Sequence, residues 1–260
     1  FKYGIAGNVS FLSNKCTYLD PSIERIAGAT VEGASPGAIR CYFEEGQPIW
    51  YMRGYDYVGR ADDGTALYRA ADGSITNDPK EGDMTNIGSG IPDMTYGITL
   101  NAEYKGFDLN ISTYGVLNYH VSDDIYNSLN SCYGYGNKEV GMLDANRWSE
   151  DGSTYLSSVP RTYAANNATL AWNDLFSSRK IQNAAYWKIA NVELGYNFPD
   201  KWFGGYVNGV RLYVSAQNLY TFTGYHGYNV DYAGGTFTPG YNFCSFPSAR
   251  TFMCGLHFTF

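Results

Sequence analysis

Catalysis needs reactive side chains held together, and in this 260-residue chain the reactive types are scattered. His120, His226 and His257 are its three histidines, and no HExxH, GxSxG or Walker pattern surrounds them. Carboxylates are plentiful, but no spacing pairs them as a glycosidase dyad would be paired. No enzyme is expected. The residues suited to chemistry are binding groups instead. Trp148, Tyr155, Trp172, Tyr225, Tyr228, Tyr232 and Tyr241 fall in Gly/Asn/Asp-rich connections. Flat aromatic faces stack on sugar rings or pack on peptide side chains, while neighbouring carboxylates and amides satisfy hydroxyls and carbonyls. Trp148, Tyr155, Tyr225, His226, Tyr228 and Asp231 are the expected ligand contacts. The alternative is that these aromatics pack loop against loop or mark an interfacial girdle.

Of the five cysteines, Cys16, Cys41, Cys132 and Cys244 also fall in connections. A Cys16–Cys41 bridge would close about 25 residues and contribute roughly 3 kcal/mol on the chain-entropy model. Cys132–Cys244 is a weaker pairing, and a reducing habitat would leave all five as thiols. Cys254 shares a face with the apolar residues of its strand and reads as an inert thiol.

The elements that must position these groups are strands. Residues 1–14, 93–105, 107–119, 186–198, 209–222 and the terminal run 249–260 alternate with period two. Met94, Tyr96, Ile98, Leu100, Ala102 and Tyr104 alternate with Thr95, Gly97, Thr99, Asn101 and Glu103. Phe107, Leu109, Ile111, Leu117 and Tyr119 share one face of the third segment. Tyr186, Ala190, Val192, Leu194, Tyr196 and Phe198 share one face of the fourth. In the last, Phe252, Cys254, Leu256, Phe258 and Phe260 oppose Thr251, Met253, Gly255, His257 and Thr259. One face is apolar and aromatic, the other small and polar, as in an antiparallel transmembrane β-barrel with lipid outside and water or a plug inside. The expected fold class is all-β. A long apolar terminal strand would be an aggregating edge in water.

Composition agrees: 25 Tyr, 14 Phe and 5 Trp make 17% of the chain aromatic, with 30 Gly and 17% charged residues. No apolar run approaches the roughly 20 residues of a membrane helix. The net charge of −7 argues against a nucleic-acid surface. The chain starts inside a strand pattern without a secretory signal, so it is expected to be the C-terminal part of a longer polypeptide or one piece of a split one.

Connections come in two sizes. Lys105-Gly106 and residues 199–205 are turns, whereas about 15–92, 120–185 and 223–248 are long. Gln47–Gly59 is β-rich without an apolar face and is placed above the membrane. Short periplasmic turns and long extracellular loops are the outer-membrane pattern, which makes the C-terminus periplasmic. Six strands are too few to close a barrel, for which about eight is the minimum. The rest of the barrel must come from other strands. A passive porin or adhesin barrel and a secreted β-rich binding protein are the rival readings.

Several blocks in order then carry a resemblance. "YWKIANVELGYNFPDKW" (186–202), "VRLYVSAQNLYTFTGYHGYNVD" (210–231) and "PSARTFMCGLHFTF" (247–260) resemble the C-terminus of the SusC-like (RagA-type) TonB-dependent transporters. "KYGIAGNVSFLSNK" (2–15), "EEGQPIWYMRGYDYVG" (44–59) and "IGSGIPDMTYGITLNAEYKGFDLNISTYG" (87–115) match further blocks. The resemblance implies the last six or so strands of a 22-stranded outer-membrane barrel of a Gram-negative bacterium. It implies active import of oligosaccharides or peptides with a SusD-like lipoprotein as lid. It also implies a TonB complex acting through an N-terminal plug, and makes Phe252, Leu256, Phe258 and Phe260 an assembly signal. Lys2, Glu103, Asp108, Glu193 and Arg211 would face plug or water. The family's Ca²⁺ loop is degraded to "AADGSITNDPKEGDM" (70–84), where Asp72, Asp78 and Asp83 lack ligand spacing. No cofactor is expected, with Ca²⁺ in this extracellular loop as the alternative to a solvated loop.

Overall fold

The computed structural model describes residues 1–29, 40–133, 136–140, 159–163, 172–203, 207–231 and 234–259. Six long strands form one antiparallel sheet: β1 (Lys2–Phe11), β2 (Met94–Tyr104), β3 (Phe107–Leu117), β4 (Tyr186–Phe198), β5 (Gly209–Thr223) and β6 (Thr251–Thr259). Each pairs only with its neighbours in chain order, giving an up-and-down meander. Val, Ile, Tyr, Phe and Thr at alternate positions favour this pleated geometry. Between β2 and β3, Lys105 and Gly106 take φ of 48° and 89°. Two successive positive φ values make the type I′ turn that matches strand twist.

Register sorts the side chains by chemistry. Ile5, Leu100, Ile111, Val192, Ala216 and Phe252 are paired in turn and form one apolar row across all six strands. One step along, Gly4, Asn101, Asn110, Glu193, Ser215 and Met253 form a mostly polar row on the opposite face. Leu212, Val214, Leu256 and Phe252 on the apolar face are exposed. Apolar area this continuous marks an interaction or membrane surface.

Alternation fails at one level. Ser112 pairs with Asn191 but Thr113 pairs with Ile189, so Ala190 is an extra residue. On the other side β5 adds a residue at the same level, where Asn218 has φ of 52°. A bulge of this kind re-aims the strand beyond it. Trp187 and Ile189 therefore join the apolar face, and Tyr186 and Lys188 turn to the polar one, paired with Val116 and Tyr114. The placement of Tyr186 on the apolar face is thus corrected, because a period-two count cannot register a bulge. Tyr119 is corrected too. Strand β3 ends at Leu117, Asn118 turns at φ of 52°, and Tyr119 enters a buried cluster with Val121, Ala184, Tyr186, Tyr225 and Val230.

All three long connections leave from the same end of the sheet, where Phe11 pairs with Met94 and Tyr186 with Thr223. They fold over that end as a cap. Arg25–Ala27, Cys41–Glu44, Tyr51–Gly54 and Thr85–Ser89 form a four-stranded sheet. Asp56–Arg60, Ala66–Arg69 and Ile75–Thr76 form another of three strands. The Gln47–Gly59 block thus lies outside the long sheet, as its missing apolar face required. His120–Asp123 pairs with Gln182–Asn183 on one side and Tyr241–Asn242 on the other, which ties the second connection to the third.

Gly240 closes the cap. Its φ is +74°, and a Cβ there would collide with the His120 carbonyl and meet the Gly90 Cα at 2.5 Å. Gly240→Ala is expected to cost about 1–3 kcal/mol in backbone strain alone. The readout is faster trypsin cleavage of the cap, with the long sheet still heat-modifiable on gels.

Candidate functional site

The polar face carries charges that satisfy one another across strands. The Arg211 guanidinium on β5 reaches over β4 to Asp108 on β3, with Nε at 3.0 Å, and donates to Glu193 at 2.8 Å. Gly195 makes this crossing possible, since a Cβ there would collide with both the guanidinium and the Asp108 carboxylate. Asn197 adds a bond to Asp108 at 2.8 Å. Lys2 and Glu103 pair at 3.2 Å, and the Asn110 amide donates to Asn101 at 2.6 Å. Among them, Lys2, Glu103, Asp108, Glu193 and Arg211 are the residues expected to face plug or water.

At the capped end, the bulge delivers Lys188 to the polar side, where it pairs with Asp231 of the third connection. The Lys188 side chain is 4% exposed. The Tyr114 hydroxyl donates to the same carboxylate at 3.2 Å. Beside this pair lies a cleft of about 310 Å³ lined by Lys188, Asn218, Tyr228, Asn229, Asp231 and Arg250, among others. It combines a free aromatic face with both signs of charge, a set suited to a polar solute.

Behind the cleft the cap is held by buried polar groups. Asp123 caps the helix Asp124–Leu129 by accepting from the Tyr126 N–H at 2.8 Å. Its other oxygen accepts from the Tyr225 hydroxyl and from the Asn242 amide at 2.9 Å. One carboxylate so joins the second connection to both ends of the third. Burial, and then the bond to Asp123, push the Tyr225 hydroxyl well above its usual range. Asp174 binds Arg179 and Lys180 at 3.2 Å each and accepts from the Ser131 hydroxyl at 2.6 Å. Burial lowers the Lys180 ammonium, and Asp174 opposes that shift.

Among the expected ligand contacts, Tyr228 and Asp231 line the cleft, and Tyr228 is exposed. Tyr225 also borders it but is spent in the core: it is 7% exposed and its hydroxyl is taken. Its assignment as a ligand-stacking ring is corrected, because its ring packs into the cluster of Tyr119, Val121, Ala184, Tyr186 and Val230 where the second and third connections meet. His226 stands exposed and stacks on Tyr126 at 5.6 Å. Trp148 and Tyr155 lie outside the described residues, as do Tyr232 and Phe260. Phe252, Leu256 and Phe258 lie exposed on the apolar face. Lys188 was missed, since only the bulge gives it its role.

The Cys16–Cys41 bridge is not formed. Both are free and buried, and they face different partners: the Cys16 thiol bonds the Tyr18 carbonyl, the Cys41 thiol the Pro239 carbonyl. Cys132 and Cys244 are free as well, one buried and one exposed. Burial pushes the Cys41 thiol from 9.0 up to about 12. Between those values the unfolded chain loses this proton and the folded chain keeps it, so stability falls as pH rises through that window. Iodoacetamide at pH 8 should therefore label Cys41 only after unfolding, without prior reduction. Labelling in the folded protein would contradict this burial.

In the degraded loop, carboxylates serve as local caps. Asp72 accepts from the Ser74 N–H at 2.9 Å, and Asp83 from the N–H groups of Ala71 at 2.8 Å and Lys80 at 2.7 Å. The Ser74 hydroxyl, which donates to Asp72 at 2.6 Å, and then the Ser74 N–H lower the Asp72 carboxyl below its usual range, and the two backbone bonds lower that of Asp83.

Comparisons with known proteins accord with this geometry. No family model matches the chain. TonB-dependent receptor P3 of Formosa agariphila is 29% identical over 240 residues, covering 83% of this chain and 22% of that protein. TonB-dependent receptor SusC of Bacteroides thetaiotaomicron is 26% identical over 81% of this chain and 19% of its own length. The chain thus spans about a fifth of the curated relatives it matches. Among solved structures, the RagAB peptide transporter superposes with a TM-score of 0.79 at 21% identity, over 98% of this chain and 26% of that one. The RagAB peptide importer in its "closed-closed" state gives 0.78 at 22% identity, over 98% and 27%. At these identities the structures speak for the fold. Sequence blocks, relatives and fold agree, and the chain is SusC-like, with the strand architecture of a TonB-dependent receptor.

Proposed function

We propose that this chain forms part of the wall and mouth of an outer-membrane barrel that imports nutrients under TonB control. One observation carries the reading. A single apolar row crosses all six strands, backed by charges and amides, and every long connection is gathered at one end. Lipid outside and a wet interior account for the two faces. In this reading the cap is extracellular and the C-terminal end of β6 periplasmic. The open edges of β1 and β6 take the remaining strands of the barrel. A SusD-like lipoprotein closes over the cap, and oligosaccharide or peptide is caught between them. Import then works by differential binding of the solute to open and closed states, with no covalent step.

The test is uptake of defined oligosaccharides and peptides by cells with and without the gene, before and after a protonophore collapses the energising gradient. Uptake that depends on both the gene and the gradient is expected, and so is a lipoprotein that co-purifies in mild detergent. Flux that survives the protonophore would mean a passive porin. Recovery of the protein from the soluble fraction would mean a secreted binding protein. Orientation has its own readout: trypsin on intact cells should cut at exposed Lys15, Arg69 or Lys80 and spare Lys105 and Lys201.

A further inference from the structure

The outer rim of the capped end holds a second pocket, separate from the cleft beside Lys188. It has a volume of about 380 Å³ and is lined by Gln182, Asn183, Ala185, Gly224 and His226. Its position follows from register. Tyr186 pairs with Thr223, so Ala185 and Gly224 are the next residues beyond the last paired ones. Strand alternation carries the apolar face from Trp187 and Phe222, which are paired, up to Ala185 and Gly224. The pocket therefore opens above that face and away from the polar one. Directly below it stands an aromatic shelf. Trp187 stacks on Phe222 at 5.1 Å, and Tyr220 meets Phe222 edge-on at 4.7 Å.

The pocket's own groups are amides and an imidazole. Gln182 accepts from the His226 N–H at 3.0 Å, and its Nε2 is buried without a hydrogen-bond partner. The His226 ring is stacked on Tyr126 at 16° between planes and is exposed at the pocket wall. Among the described residues no Lys or Arg lines the pocket, so a phosphate would find no charge-assisted partner there. Neutral donors beside flat rings suit hydroxyls and the apolar faces of a sugar.

We infer that this rim binds one outer-leaflet glycolipid, its sugar headgroup in the Gln182–Asn183–His226 pocket and an acyl chain along the Trp187–Phe222 shelf. The inference rests on the outer-membrane reading proposed above, because only a bilayer sets such a lipid against the apolar face. The ligand is held at the protein–lipid boundary and is not cargo.

The test extracts the native protein from outer membranes in mild detergent and identifies the retained lipids by mass spectrometry. Wild-type protein should retain a glycolipid in stoichiometric amount. The double variant Asn183→Ala/His226→Ala should retain about tenfold less, the loss expected when one or two net hydrogen bonds are removed. Trp187→Ala should lower retention independently, and Leu194→Ala, on the same face but away from the pocket, should not. A soluble oligosaccharide that displaces the lipid from wild-type protein would show that free sugar is the ligand and overturn the assignment. A wild-type protein that retains only phospholipid, or variants that fold and retain as much glycolipid as wild type, would do the same. Failure of the protein to fractionate with the outer membrane would instead remove the reading beneath it. Wild-type retention is decisive even where a variant does not assemble.

Discussion

Leu100→Arg is expected to destabilise the barrel by about 2–4 kcal/mol, the cost of a cation on the lipid face near the bilayer midplane. Leu100 lies mid-strand in a cross-strand row with Ile5 and Ile111, and it is exposed on the apolar face. No carboxylate belongs to that row, so the guanidinium would have lipid and apolar side chains around it. The control is Thr99→Arg. Thr99 lies mid-strand on the polar face, paired with Ala6 and Ser112. There a cation stays wet and should change stability by about 0.5 kcal/mol or less. Urea unfolding of the full-length protein in detergent or vesicles would measure both. Equal costs at the two sites would mean that the faces do not see different media, and the membrane reading would fall.

Lys188→Met should cost about 3 kcal/mol or more in the docking of the third connection, because it strands the Asp231 carboxylate in a partly buried site. The Asp231 side chain is 20% exposed, and only the neutral hydroxyls of Tyr114 and Tyr186 would remain beside it among the described residues. The expected phenotype is local. The 223–248 segment should exchange amide hydrogens faster and be cut sooner, while the long sheet stays paired. Solute binding at the cleft should weaken with it, since Lys188 and Asp231 line that wall. The double change Lys188→Met/Asp231→Leu removes both charges and should recover much of the stability without recovering binding. If the single variant leaves exchange in 223–248 unchanged, the pair is not what holds this connection.

The strands, their faces and the end from which the long connections leave could be read from residue order alone. The reason is physical: successive β positions point to opposite faces, one apolar and one polar, so every second residue carries the signal locally. Lys105-Gly106 announced its turn for the same reason, since two positive φ values demand particular residues. The cap was legible only as Gly-rich, aromatic connections. Its small sheets, the Asp123–Tyr225–Asn242 junction and the fate of Tyr225 depend on segments more than a hundred residues apart. Nothing local distinguishes a tyrosine that stacks on a ligand from one that fills a junction. The two cysteine thiols tell the same story: loop length favoured a bridge, but Cys41 is turned toward Pro239 by packing against the third connection.

Sequence by itself determined that the chain is a two-faced β meander with long connections on one side, because period two and turn chemistry are local properties of the backbone. Tertiary structure alone decided where the bulge falls at Ala190, and hence that Lys188 meets Asp231 and Trp187 meets Phe222. A bulge is a mismatch in residue count between neighbouring strands, so it exists only once the strands are paired.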